Sequence, residues 1–165
     1  MDESSQEHFD RLRELHFPSE RNYLRAHLTL FHRLPGEQEA EISAELREIC
    51  GEHEPLTLAA TGVRFLGRGV AYELSSPRLS ALRRELLRSW DSWLGAQDRQ
   101  GFKPHVTVQN KVSPEQARIL HQELQATFTP FEVAGLGLSL WRYLGGPWEP
   151  AATYLFSTPR NNDRS

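Results

Sequence analysis

The segment Arg25-Ala26-His27-Leu28-Thr29-Leu30 decides the fold of this chain, because a second copy of its pattern follows as Lys103-Pro104-His105-Val106-Thr107-Val108. In each copy a histidine and a threonine alternate with aliphatic residues, which predicts a strand with one polar and one apolar face. The imidazole and the hydroxyl of one copy then stand roughly 7 Å apart along the polar face. Two such faces turned towards each other would surround one site with two imidazoles and two hydroxyls.

The two copies belong to a repeat of the whole chain. Their histidines are 78 residues apart, and the same offset aligns Arg64-Phe65-Leu66-Gly67 with Arg142-Tyr143-Leu144-Gly145. Each half reads helix, motif strand, helix, strand, strand. Strands that arrive in hairpins and between helices favour antiparallel sheets. We therefore expect an α+β fold with two pseudo-symmetric lobes, helices on the outer faces of the sheets, and both motifs in a central cleft.

The elements follow from periodicity and from capping residues. Asp2 or Ser4 can cap the first helix, Ser76-Pro77 opens the third, and Ser113 with Gln116 has the form of a capping box. The predicted helices are 3–16, 37–51, 77–94 and one that opens at Ser113. The predicted strands are 23–34, 56–66, 70–75, 102–112, 131–144 and 151–157. We place the lobe repeat at about 1–75 and 76–158 of a single domain 1–165, with 159–165 as a frayed tail.

Composition excludes several classes of protein. The chain has 165 residues and a formal charge of −3 at pH 7, which fits one domain with a sizeable core and argues against sequence-blind binding to long nucleic acid. Cys50 is the only cysteine, so an internal disulfide is excluded, and a small apolar group is a better interpretation than a reactive thiol. No run approaches the roughly 20 apolar residues of a membrane span, and no signal peptide is evident. We expect a cytoplasmic protein without membrane or protein partners.

A metal site is another common use of histidines. It would need three or four converging ligands, yet the sequence has no His-x-x-x-His spacing, no cysteine pair and no carboxylate cluster. A glycine-rich phosphate loop is not indicated either, because Gly67-Arg68-Gly69 and Gly145-Gly146 fall at predicted hairpins rather than between a strand and a helix. We therefore expect neither a metal nor a cofactor.

With its two motifs, the chain resembles the 2H phosphoesterase superfamily, which is named for a pair of His-x-Thr/Ser motifs, and most of all its bacterial 2'-5' RNA ligase-like branch. Ala26-His27-Leu28-Thr29-Leu30 is similar to the first family motif and residues 102–108 are similar to the second. The resemblance implies a two-lobed fold and metal-independent phosphodiester chemistry at RNA ends, on 2',3'-cyclic phosphates or 2'-5' linkages. Many members carry a basic residue soon after the second motif, where Gln109 and Asn110 stand here before Lys111.

The motif residues suit proton transfer around a phosphate. Histidine titrates near pH 6.5, so at neutral pH one imidazole can act as a base and another as an acid. For a 2',3'-cyclic phosphate, one histidine would take a proton from water and the other would protonate the departing ribose oxygen. With an RNA 5'-hydroxyl in place of water, the same site would ligate. Threonine hydroxyls can donate hydrogen bonds to the non-bridging oxygens. The predicted catalytic residues are His27, Thr29, His105 and Thr107, with the choice of base and acid left open.

Six further residues are candidates for substrate binding. One cation lies two positions before each motif histidine. Both cations could reach the phosphate, although solvated strand ends explain them equally well. Two arginines match across the repeat and pose the same choice between phosphate contact and ordinary surface. Two aromatic residues could stack on a base, although aromatic residues on strands are more often part of the core. These candidates are Arg25, Lys103, Arg64, Arg142, Phe31 and Tyr143.

Three functions remain open at this point. The first is a cyclic phosphodiesterase, with reversible 2'-5' RNA ligase activity as an extension. The second is a module that binds nucleotides or RNA ends without turnover. The third is a phosphodiesterase for a small cyclic nucleotide. The acidic net charge favours a short RNA or a nucleotide as the partner molecule.

Overall fold

The computed structural model describes residues 1–158 and has an α+β fold in which all paired strands are antiparallel, as the sequence predicts. Its helices are α1 Glu3–His16, α2 Glu39–Glu52, α3 Pro77–Ser89, α4 Ala96–Arg99 and α5 Pro114–Thr127, with short 3₁₀ turns at Ser19–Arg21 and Gly36–Gln38. Its strands are β1 Leu56–Phe65, β2 Val70–Ser75, β3 His105–Gln109, β4 Phe131–Gly135, β5 Gly137–Tyr143 and β6 Trp148–Leu155. The predicted frayed tail, 159–165, lies outside the described residues.

The predicted capping residues begin their helices. The Asp2 side chain accepts a hydrogen bond from the Ser5 N–H at 2.9 Å. Ser76 caps α3, and Ser113 forms the expected reciprocal capping box with Gln116 at the start of α5. Each cap satisfies backbone N–H groups that have no partner within the first turn of a helix, so local sequence alone sets these three boundaries.

Helix α3 ends at Ser89, five residues before the predicted Leu94. After Ser89 the helical hydrogen bonding changes, because the Trp93 N–H donates to the Trp90 carbonyl three residues earlier, at 2.8 Å. The Arg99 guanidinium donates hydrogen bonds to the carbonyl oxygens of Asp91 and Leu94. The chain turns there, and Gly95 precedes the short helix α4.

The strands form two sheets of different size. The larger sheet has the order β3-β2-β1-β4, and β5 pairs with β6 in a separate hairpin. Helices α1 and α5 pack on the larger sheet, whereas α2 packs on the hairpin. The larger sheet therefore combines strands from both sides of residue 75, and the proposed division of one domain at that point stays a prediction.

The first motif does not form the predicted strand over 23–34. Among residues 1–158, its backbone pairs with another segment through one antiparallel bridge, between Leu28 and Val106. The second motif does form a strand, although β3 is shorter than the predicted 102–112. Pro104 has no N–H to donate at one end, and Lys111 has a positive φ of 64° at the other.

The two hairpin turns preserve the sequence repeat in the backbone. Gly67, between β1 and β2, has φ 84°, and Gly145, between β5 and β6, has φ 83°. Both turns need a residue that adopts a left-handed conformation without strain, and glycine does so. The aligned Arg-aromatic-Leu-Gly segments therefore end in equivalent turns.

Candidate active site

The Leu28–Val106 bridge brings the two motifs side by side. In this antiparallel register His27 lies opposite Thr107, and Thr29 lies opposite His105. Residues directly opposite each other share a face, with Cβ atoms about 5 Å apart. The four predicted catalytic side chains therefore project from one face of adjacent segments, rather than from two faces turned towards each other.

Both motif histidines are oriented by the same backbone contact. His27 Nδ1 lies 2.8 Å from the carbonyl oxygen of Arg25, and His105 Nδ1 lies 2.9 Å from that of Lys103. A carbonyl oxygen only accepts, so each Nδ1 carries the proton that it donates. Nε2 of each neutral ring is then the unprotonated nitrogen, ready to accept a proton. The two halves of the site thus present the same tautomer.

The backbone of the first motif is held by side chains instead of a strand partner. At its start, Asp10 accepts from the Ala26 N–H at 2.6 Å, and Gln6 donates to the Ala26 carbonyl at 2.9 Å. At its end, Asp98 accepts from the N–H groups of His32 at 2.8 Å and Arg33 at 3.2 Å. These contacts supply the hydrogen bonds that a ladder would otherwise provide.

A buried arginine holds each motif. Arg83 of α3 donates to the Leu30 carbonyl at 3.1 Å and to the Asp98 carbonyl at 2.5 Å. Arg13 of α1 donates to the Thr107 carbonyl at 2.9 Å. Burial lowers the pKa of both guanidinium groups, and the charge of Asp98 opposes that shift at Arg83. The helix that precedes one motif in sequence therefore supports the other motif.

Sequence reasoning missed these supporting residues, although a signal was present. Arg13 lies four residues after the buried Phe9, and Arg83 lies among the buried Leu79, Leu82 and Leu86. A cation on the apolar stripe of a helix is unusual, because a buried charge requires hydrogen-bonding partners. Such a cation therefore indicates a carbonyl or carboxylate group to which it donates a hydrogen bond.

Arg25 and Lys103 differ in their surroundings. The Arg25 Nε donates to Asp10 Oδ2 at 2.8 Å, and its side chain is 74% exposed. Burial raises the pKa of Asp10, but hydrogen bonds from Ala26, Arg25 and Gln6 outweigh it, so the net shift is downward. Lys103 is exposed and makes no ion pair within residues 1–158. Contact of either side chain with a phosphate stays a prediction.

Arg64 lies on the same sheet face as Thr107. It pairs with Ala71 of β2, which in turn pairs with Thr107 of β3. This open face is opposite α1 and α5, because the neighbouring pair Tyr72 and Val106 points into the core beneath α1. Two strand spacings of about 4.8 Å separate the backbones of Arg64 and Thr107, and only the small Ala71 lies between them.

A bulge makes the two repeat-related arginines non-equivalent. Thr61 is the extra residue of a bulge in β1, and it shifts Arg64 to the open face. In the other hairpin the register shift lies between Leu140 and Trp141, where the extra residue belongs to β6. Arg142 therefore keeps the alternation of β5 and points to the side of α2.

The remaining candidates lie in defined packing environments. Arg142 forms a two-pronged ion pair with Glu39 of α2, at 2.8 and 2.5 Å, and this pairing lowers the pKa of Glu39 and raises that of Arg142. Tyr143 is 62% exposed, and its ring centroid lies 4.9 Å from that of Trp148. Phe31 is half-buried against Trp90, with centroids 5.2 Å apart. The structure thus places Phe31 in the core and Tyr143 at the surface.

The site also departs from the expected pattern after the second motif. Val70 pairs with Gln109 while Ala71 pairs with Thr107, so Val108 is the extra residue of a bulge. The bulge turns Gln109 into the core, where it is 6% exposed. Simple alternation beyond Thr107 therefore fails, and Lys111 does not continue the polar face of β3.

Within residues 1–158, no three histidine, cysteine, aspartate or glutamate side chains converge as a set of metal ligands. In the same part of the chain, every helix is too short or too polar to cross a bilayer.

Comparison with known proteins gave one family match and a structural match. A family model described as the 2'-5' RNA ligase superfamily matches residues 1–147. The chain is also similar in fold to TT0787 of Thermus thermophilus, known from a crystal structure, with 14% identity, a TM-score of 0.62, and coverage of 96% of this chain and 95% of that chain. Comparison with curated proteins gave no match. The structural likeness confirms the α+β fold.

Proposed function

Because the chain belongs to the 2'-5' RNA ligase superfamily, we propose that it is a metal-independent phosphodiesterase acting on 2',3'-cyclic phosphates or 2'-5' linkages at RNA ends. The observation that carries this proposal is the matched pair of histidines. Each donates Nδ1–H to a carbonyl two residues earlier, and both lie on the face that carries Thr29 and Thr107. Two imidazoles of the same tautomer, side by side, can accept a proton on one side of a phosphate and return one on the other.

In the proposed reaction, Nε2 of one histidine takes a proton from water, which attacks the phosphorus. The other histidine, in its protonated form, gives its Nε2 proton to the departing ribose oxygen. The hydroxyls of Thr29 and Thr107 donate hydrogen bonds to the non-bridging oxygens, where negative charge increases in the transition state. When an RNA 5'-hydroxyl takes the place of water, it gives its proton to the first histidine and attacks the same phosphorus. The ribose oxygen leaves with a proton from the other histidine, so the cyclic phosphate opens and the two RNAs are joined.

The surroundings of the motifs support a role for cations in holding the phosphate. Arg64 shares a row with Thr107, and Lys103 and Arg25 lie beside the two histidines. Tyr143 is exposed beside Trp148, with the two rings tilted by 41°, and we assign it to stacking on a nucleobase. Arg142 would have to break its ion pair with Glu39 to bind the substrate, so we assign it the smallest contribution to substrate binding.

The test is hydrolysis of nucleoside 2',3'-cyclic phosphates in the presence of a chelator. We expect turnover by the wild type, a bell-shaped pH profile, and losses of at least about 100-fold in kcat for His27→Ala and for His105→Ala. His16→Ala, at the end of α1, is the matched control and should retain activity. Absence of wild-type turnover, or its loss on chelation, would contradict the proposal.

Two other functions are distinguished by the same preparation. Binding of RNA that ends in a 2',3'-cyclic phosphate, without turnover, would indicate a binding module. Turnover of mononucleotides with no action on oligonucleotides would indicate a small-nucleotide phosphodiesterase. Ligase activity is assayed by joining one RNA with a cyclic phosphate end to another with a 5'-hydroxyl.

A further inference from the structure

Glu73 places a carboxylate on the open face, beside the candidate site. It pairs directly with His105 across β2 and β3, so both side chains point to the same side. On its other flank it pairs with Gly62. A Cβ built on Gly62 would lie 3.6 Å from Glu73 Oε2, which shows that the carboxylate extends over β1 and away from His105.

Glu73 as a residue is half-buried, and no side chain or backbone group among residues 1–158 donates a hydrogen bond to its carboxylate. The one contact of Glu73 outside the ladder involves its backbone carbonyl, with the Thr61 hydroxyl at 3.5 Å. An anionic group on the floor of a phosphate site repels a second phosphate. It favours an uncharged part of the substrate that carries hydrogen-bond donors.

The two rows of the open face therefore differ in charge. One row contains Arg64, Ala71 and Thr107, and the next contains Gly62, Glu73 and His105. A phosphate held by the motifs has a cation on the first row and a carboxylate on the second. The carboxylate is displaced from His105 by a strand spacing of about 5 Å and extends further over β1. For a nucleoside that lies over β2 and β1, this position matches the nucleobase rather than the ribose hydroxyls beside the phosphate.

The chemistry of a carboxylate discriminates among the four bases. Its two oxygens accept from two N–H groups that lie side by side, and guanine presents such a pair at N1 and N2. Adenine and cytosine present an amino group beside a ring nitrogen that only accepts, and uracil presents one N–H between two carbonyl oxygens. A bidentate pair of this kind gives about 1–3 kcal/mol of discrimination.

We propose that Glu73 selects a guanine base on the nucleoside that carries the reacting phosphate, which rests on the proposed phosphodiesterase function. The experiment compares kcat/KM for the 2',3'-cyclic phosphates of guanosine, adenosine, cytidine and uridine. We expect the wild type to prefer guanosine by about tenfold or more. Glu73→Gln should bring the guanosine to adenosine ratio close to one, since an amide offers one acceptor and one donor.

The control is Glu132→Gln, which removes the same charge from the edge strand β4 and should leave the ratio unchanged. Because a lost negative charge affects all four nucleotides alike, the ratio isolates recognition of the base. If Glu73→Gln does not fold, Glu73→Asp takes its place, and withdrawal of the carboxylate by one methylene should lower the guanosine preference.

Several outcomes overturn the inference while leaving the proposed reaction intact. One is equal kcat/KM of the wild type for the four nucleotides. Another is a guanosine preference that is unchanged in Glu73→Gln, and a third is a guanosine preference that changes in Glu132→Gln. If the wild type turns over none of them, the proposed reaction fails, and calorimetric Kd values for guanosine and adenosine 3'-monophosphate decide the role of Glu73. Tighter guanosine binding that depends on Glu73 supports it, and equal binding overturns it.

Discussion

The two motif segments carry the same side chains but are held in place by different means. The second motif is a strand of a sheet, with β3 paired to β2 from Glu73 to Val70. The first motif has a single backbone bridge, at Leu28, and otherwise depends on side chains of α1, α3 and α4. Matching side chains therefore stand on backbones that are stabilised in different ways.

The difference has a physical consequence for each histidine. A strand within a sheet loses its position only if several cooperative hydrogen bonds break together. A segment held by a few charged side chains is displaced when one of those side chains is removed, because its buried partner groups then have no hydrogen bond. Substitutions around the first motif should accordingly affect catalysis more than comparable substitutions around the second.

The largest effect is expected from Asp98→Ala. Asp98 is 2% exposed and its carboxylate accepts from both the backbone and the ring of His32, and from the Arg33 backbone. Its loss should cost about 3 kcal/mol in the free energy of unfolding and lower kcat about 100-fold, because His27 is displaced. Denaturant unfolding and steady-state kinetics measure both, with the exposed Glu41→Ala as control. Full activity in a destabilised Asp98→Ala would refute the supporting role.

A paired substitution of the two buried arginines compares the segments directly. Arg83→Met and Arg13→Met each remove guanidinium bonds to a motif carbonyl, and each should cost about 2 kcal/mol. Only Arg83→Met should also lower kcat about tenfold, because Thr107 remains in its ladder without Arg13. Tm and kcat separate the two effects. Equal losses of kcat in the two variants would mean that the segments are equally constrained.

The smallest effect is expected from Asp10→Asn at the start of the first motif. The pKa of Asp10 is lowered in the folded protein, so its contribution is complete above the unfolded pKa near 4 and is lost as pH falls through the lower folded value. At pH 7 the substitution should cost about 1 kcal/mol. Unfolding curves from pH 7 down to pH 3 should show a shallower acid decline than the wild type. An unchanged pH dependence would contradict this assignment.

Sequence alone identifies the two segments that the structure brings side by side, and their catalytic roles stay predictions. The alternation around His27 and His105, together with the 78-residue offset, is enough to place both histidines and both threonines on polar faces. Capping residues also fix the starts of α1, α3 and α5, because a cap depends on neighbours within one turn. Local patterns succeed where the deciding interactions are local.

The failures have a common physical cause, which is interaction over long sequence separation. Alternation predicts a strand for the first motif, yet Asp98 and Arg83 supply its hydrogen bonds from elsewhere in the chain. The repeat predicts that Arg64 and Arg142 are equivalent, but the extra residue at Thr61 reverses the facing of one of them. A bulge leaves no clear trace in the sequence because it is fixed by the register of the partner strand.

The support of the first motif also has a consequence for the order of folding during synthesis. His27 leaves the ribosome early, whereas several contacts of its segment come from residues that are made much later. Asp98, which binds His32, follows it by 66 positions, and Val106, which pairs with Leu28, comes later still. Contacts of such high sequence separation require large loops to close before they stabilise anything, which slows folding. The start of the first motif can bind α1 early through Asp10 and Gln6. The contacts from Leu28 to Arg33 wait until the second half of the chain has been made, so both halves of the candidate site are completed together.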